Sequence, residues 1–310
     1  MKKIILLTCF IFCLLIYAYF IEHTKGFCLE KIYSRHTFNP RWDFGTPTNE
    51  QEKLLNQIAS DAFTLIGSGK ECYAFANEQG TLIIKFFKQK LMCTQSILNY
   101  LPLSHYQKSL HQEMITRRIQ HRKRLFSSCQ IAHEHLRAQT GVLYLHLNKT
   151  NSLNRKICLI DPSSGKKHWL QLDDMEFVVQ KRAYDTFSTL QSFIENDQID
   201  HAKALIISIL DLIHQKKILG IGDSDTNFVH NLGTINGEVC HIDVGHFFLT
   251  LSSLPTYEDY TTATRELLFF LYNRRPDLAL YLQDEINRRT FCDINEKDKY
   301  ENNAPQIVFK

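Results

Sequence analysis

The chain has 310 residues, of which 44% are hydrophobic and 22% charged, with a formal net charge of +3. That balance is ordinary for a globular protein and sets aside a wholly disordered or low-complexity chain. The small net charge argues for no particular partner, and no run of basic residues interleaved with aromatics points to nucleic acid.

After Met1-Lys2-Lys3, the stretch Ile4 to Ile21 holds eighteen residues without a charge, Thr8 being the only clearly polar one. That length approaches the span of a bilayer core and exceeds the usual apolar region of a signal peptide. Ala18, two residues after Ile16, is the only small residue that could mark a cleavage site. An uncleaved single-pass membrane anchor over 1–24 is therefore expected, with a cleaved leader as the alternative. Lys2 and Lys3 place the N-terminus inside, but Lys25, Lys31 and Arg35 oppose that orientation, and the side of the membrane stays open. The nine cysteines show no CxxC or Cys/His spacing of a zinc site. Several lie in apolar strands and read as buried thiols, which favours a reducing environment.

Residues 25–60 read as a connector, with Thr48 and Gln51 spaced as a helix N-cap pair before Leu54, Leu55 and Ile58. Phe63 to Ile66 reads as a strand and Gly67-Ser68-Gly69 as a turn without Cβ atoms at two of its three positions. Tyr73 to Phe75 forms the returning strand, 77–80 a second turn, and Leu82 to Phe87 a third strand. Lys85 lies inside that third strand, between Ile83, Ile84, Phe86 and Phe87. A lysine in such a run is costly to bury without an anionic partner. Residues 105–138 carry a helical pattern through Leu110, Met114, Ile115, Ile119, Leu125, Ile131, Ala132 and Leu136. Its basic run, Arg117-Arg118 and His121 to Arg124, reads as a solvated face, with anionic lipid headgroups as the sharper alternative. A strand follows over 142–147, then a hairpin of 157–160 and 168–172 about the turn 161–165, then the strand Phe177-Val178-Val179.

Ala202, Leu205, Ile206, Ile209 and Ile213 repeat at helical spacing over Gln198 to Lys217. The segment LGIGDSDTNFV follows, then HNLGTINGE, then VCHIDVG. It places an acid and an amide, Asp223 and Asn227, on a short loop, and closes a hairpin on a second acid, Asp243. Phosphoryl transfer from a nucleotide needs that set: one carboxylate to orient or deprotonate the acceptor hydroxyl, an amide and a second carboxylate for metal.

In this order the motifs resemble those of the protein-kinase-like superfamily, over about residues 61–250. The resemblance implies an α+β, two-lobed kinase-like fold, with an N-lobe over 61–183 and a C-lobe over 184–310. It implies ATP and Mg as cofactors. Gly67, Ser68, Gly69 and Lys85 would lie at the phosphates, and Glu134, or Glu113, would pair the lysine. Backbone groups of Gln180 to Ala183 would meet adenine. Asp223 would be the catalytic carboxylate, and Asn227 with Asp243 would hold metal. Departures from the family pattern are plain. Ile221 stands where histidine is usual, and Asn227 follows Asp223 by four residues instead of five. The loop lacks a third glycine, and only 65 residues follow Gly245. The expected function is a membrane-anchored kinase-like protein acting on an unidentified hydroxyl acceptor, with a pseudokinase scaffold as the alternative. A structural membrane protein without a nucleotide site is a third reading, against the motif order.

Overall fold

The structure, a computed structural model, describes residues 27–94, 104–225 and 231–300. The architecture is α+β, and the chain divides into two compact units. One comprises the chain up to Phe126 together with Tyr144–Gln180; the other comprises Ser127–Leu143 and the chain from Lys181 on. The sequence reading put the division after Ala183.

The first unit is built on a seven-stranded sheet in the order β4-β7-β3-β2-β1-β5-β6. Its strands are β1 (Ala62–Ser68), β2 (Cys72–Asn77), β3 (Leu82–Phe87), β4 (Val142–His146), β5 (Lys156–Asp161), β6 (Lys166–Gln171) and β7 (Phe177–Lys181). Alternation sends Phe63, Tyr73, Phe75, Ile84 and Phe86 to one buried face. There Phe75 meets Phe86 at 5.9 Å and Phe86 meets Phe177 at 5.7 Å between ring centroids. β1 pairs antiparallel with β2 and parallel with β5, so the β5–β6 hairpin extends the sheet beyond β1. Helix α1 (Asn49–Ser60) starts on the expected capping box, in which Thr48 and Gln51 each accept a hydrogen bond from the other's backbone N–H.

The expected connector is part of this unit's packing. Ile32 is fully buried, and Phe27 stacks edge-on against Tyr73 and Phe75. Ser34 donates to the buried carboxylate of Glu176, which also accepts from Gln89 at 2.8 Å. Burial holds Glu176 above the usual carboxylate range against these bonds and the Arg122 charge. The long helix α2 (His105–His135) carries the basic run, and most of that run is engaged. Arg117 pairs with Glu113 at 2.6 Å, Arg118 donates to the Cys93 carbonyl, and His121 and Arg124 face Glu71.

The second unit buries the stripe read from the sequence. Helix α3 (Thr186–Glu195) is capped by Asp185, which accepts from Ser188 N–H. Helix α4 (Ile199–Ile218) sets Leu205, Ile206, Ile209 and Ile213 into a core shared with Tyr260, Leu267 and Leu271 of α5 (Tyr257–Tyr272) and Leu278 and Leu282 of α6 (Pro276–Tyr300). The strands are short: β8 (Tyr184–Asp185), β9 (Ile221–Asp223), β10 (Leu232–Ile235), β11 (Glu238–His241) and β12 (Phe247–Leu249). β10 and β11 form a tight hairpin on Asn236-Gly237, both at positive φ as a two-residue turn requires.

The expected transmembrane helix is withdrawn, and with it the single-pass membrane location. Among the described residues no helix is long and apolar enough to cross a membrane. The long ones are interrupted by charge: Arg117, Arg118 and Lys123 in α2, Lys203 and Asp211 in α4, Asp284 and Arg288 in α6. Residues 4–21, on which that expectation was placed, lie outside the described residues.

Candidate functional site

Helix α4 ends where Gly220 takes a left-handed conformation, φ +65°, and its N–H bonds the Lys217 carbonyl at 3.0 Å. The turn leads directly into β9, which pairs antiparallel with β12: Ile221 opposite Leu249, Gly222 opposite Phe248, Asp223 opposite Phe247. Asp223 therefore lies at the end of a two-stranded ladder, with its carboxylate only 12% exposed. Its Oδ2 accepts from Lys216 Nζ at 3.1 Å, and its Oδ1 accepts from the Asp225 N–H at 3.0 Å.

Lys216 was not singled out in the sequence, yet it is the only buried lysine or arginine among the described residues. Its Nζ lies 3.1 Å from His241 Nε2 and 5.1 Å from the centre of the Phe247 ring. Burial pulls the Lys216 ammonium below the usual lysine range, opposed by the Asp223 charge and hydrogen bond. His241 is fully buried, and burial first, then Lys216, pushes its imidazole well below the usual range. An ammonium has only donors to offer, so Nε2 is the acceptor and the ring is neutral. The sequence did carry a signal. Lys216 continues the stripe of Ile209, Leu212 and Ile213 at helical spacing, which places a lysine on a buried face.

Asp243 lies in the loop between β11 and β12, exposed, with its Oδ1 accepting from Gly245 N–H at 3.0 Å. The same loop is clasped by Ser128, a fully buried residue of α2. Ser128 Oγ donates to the Val244 carbonyl at 2.6 Å and accepts from Phe247 N–H at 2.6 Å. One hydroxyl thus satisfies both ends of the turn that follows Asp243. Asn227, the expected metal-binding amide, lies outside the described residues; beyond it, Asn231 donates to the Asp225 carboxylate at 2.8 Å. Among the described residues no cluster of three or more His, Cys, Asp or Glu could hold a metal ion.

In the first unit, Gly67 lies opposite Ala74 and Ala74 opposite Lys85. Directly opposed residues of an antiparallel pair share a face, so Lys85 shares one with the small residues Ala74 and Gly67. A Cβ added at Gly67 would meet nothing within 4 Å. The turn closes through Gly69 N–H to the Cys72 carbonyl at 3.0 Å. Lys88 holds it from the side, donating to Ser68 Oγ at 2.9 Å and to the Gly69 carbonyl, with its ammonium 4.2 Å from the Tyr73 ring centre. Gln180 is buried near the end of β7. In the second unit, Glu134 is an exposed helix acid that accepts from Gln130 at 2.9 Å. An open depression of ≈ 630 Å³ along α2, lined by His105, Lys108 and Glu113 among others, contains none of the other candidate residues.

The chain matches no family model and no curated protein.

Proposed function

We propose that the protein is a kinase-like phosphotransferase that binds ATP with magnesium and passes the γ-phosphoryl group to a hydroxyl acceptor. The observation that carries this reading is the β9–β12 ladder. It seats Asp223 opposite Phe247, and Asp243 lies four residues before Phe247, in the loop that leads into β12. Carboxylate oxygens are the hard donors that magnesium prefers. When bound, the metal neutralises phosphate charge. Asp243, with Asn227, would hold it. Asp223 would orient the acceptor hydroxyl, and Lys85, on a sheet face it shares with Ala74 and Gly67, would meet phosphate oxygens.

A second reading, a nucleotide-binding pseudokinase, is favoured by one feature, the four-residue spacing from Asp223 to Asn227.

Three substitutions separate these readings. Asp243→Asn removes charge with little change of shape and is expected to weaken only magnesium-dependent nucleotide binding. Lys85→Ala weakens binding with and without magnesium. Asp223→Asn leaves binding nearly intact and abolishes turnover, because its role belongs to the transfer step. Binding is read as a rise in melting temperature with ATP and magnesium. If folded variants all match the wild type in binding and activity, the functional reading falls.

A further inference from the structure

Lys216 is an expensive residue to place where it is. Burying an ammonium costs several kcal/mol unless geometry compensates, and a well-packed apolar side chain often serves stability equally well. Its neighbours on the helix stripe, Ile209, Leu212 and Ile213, are apolar. Stability therefore gives no account of a lysine at this position. Its contacts do. Three separate elements converge: Lys216 from α4, Asp223 from β9 and His241 from β11, each polar contact at 3.1 Å.

We propose, resting on the phosphotransferase reading, that Lys216 is the positioning residue of the transfer step, with neutral His241 as its brace. A carboxylate on its own has a broad torsional range about its last bond. Asp223 is pinned at both oxygens, by the ammonium on Oδ2 and by the Asp225 N–H on Oδ1. Each oxygen keeps a further lone pair, and one of these takes the acceptor hydroxyl. In the transfer, the acceptor oxygen forms its bond to the γ-phosphorus as the bond from that phosphorus to the β,γ-bridging oxygen breaks. ADP leaves with that electron pair. The hydroxyl proton passes to Asp223 and on to solvent.

The test uses full-length protein, ATP, magnesium and water as the acceptor, so that no unknown substrate is required. Binding is followed by thermal shift and turnover by γ-phosphate release. Lys216→Met is expected to keep the wild-type KM for ATP and to lower kcat about a hundredfold, the cost of a misplaced reacting group. Lys216→Arg restores part of kcat by restoring the charge. A merely structural lysine predicts the opposite: lower melting temperature with unchanged kcat per folded molecule. Wild-type turnover with equal kcat in folded Lys216→Met overturns this proposal and leaves the phosphotransferase reading standing. Should Lys216→Met not fold, Lys216→Arg decides. A kcat lowered at least tenfold at constant KM supports positioning, because a planar fork cannot occupy an ammonium's place; wild-type kcat overturns it. Wild-type protein that binds nucleotide without turnover, or binds none, removes the transfer step and this proposal with it; the wild-type trace alone tells that failure from the first.

Discussion

At the scale of single residues, the buried polar groups decide more than the exposed ones. Ser128 is the clearest case. Removing its hydroxyl leaves the Phe247 N–H without its 2.6 Å partner and the Val244 carbonyl with the Cys129 thiol at 3.9 Å in place of a 2.6 Å bond. An orphaned buried group costs about 1–3 kcal/mol, so Ser128→Ala is expected to lower stability by about 2 kcal/mol in a denaturant titration. It should also weaken magnesium-dependent nucleotide binding, because the clasped turn carries Asp243. A different residue sets a pH response in the first unit. Burial, reinforced by the Arg122 charge, lowers the His36 imidazole from 6.5 to about 4. A depressed histidine favours the neutral folded form, so its stability contribution is present above pH 6.5 and is lost as pH falls toward 4. Glu176, raised by burial, acts with the opposite sign, losing its contribution as pH rises through its folded value. His36→Asn is expected to flatten the decline of melting temperature between pH 6.5 and 4; an unchanged slope would contradict the assignment.

At the scale of elements, the turn between α4 and β9 determines where Asp223 sits. Gly220 combines φ +65° with crowding: an added Cβ would lie 2.6 Å from the Thr250 carbonyl oxygen, which is backbone and cannot swing aside. A non-glycine residue in that conformation costs about 1–3 kcal/mol before any clash. Gly220→Ala is thus expected to destabilise the protein by at least about 1 kcal/mol in chemical denaturation. Turnover should fall further than stability does, since the β9–β12 register depends on this turn. Gly222 offers a milder contrast. Its added Cβ would meet the ring of Phe248, a half-exposed side chain that can rotate away.

At the scale of the whole molecule, each unit carries its own sheet and core, and the first includes chain that reads as a connector. Phe27, Ile32 and Ser34 all pack into it. A chain truncated through Ser34 is expected to melt several degrees below one truncated through Gly26, since loss of one fully buried isoleucine side chain alone costs about 2–5 kcal/mol. Equal melting temperatures by circular dichroism would show that these contacts carry no weight.

Much of the secondary structure was legible in local pattern, because burial imprints its period on adjacent residues. Leu82–Phe87, the Thr48 cap and the helix through Ile209 and Ile213 lie where an apolar run between turns, cap spacing and helical spacing put them. Helix α3 was missed, because its opening Asp185-Thr186-Phe187-Ser188 reads as a polar loop until Asp185 is seen capping Ser188. The helix expected over 105–138 ends at His135 and gives way to a single turn, Arg137–Thr140. The candidate acids Asp223 and Asp243 could be named from the sequence; their surroundings could not. His241 reaches Lys216 from 25 positions away, and Ser128 reaches Val244 from 116. The sequence by itself determined the strand Leu82–Phe87 and its partners in the first unit, the Thr48 cap, the helix through Ile209 and the polar groups available for chemistry, since these follow from neighbours a few residues apart. Only the tertiary structure decided which polar groups are taken out of water together, and that β5 joins the sheet beside β1 in parallel. Desolvation depends on residues distant in the chain arriving at one place, and no local period records that.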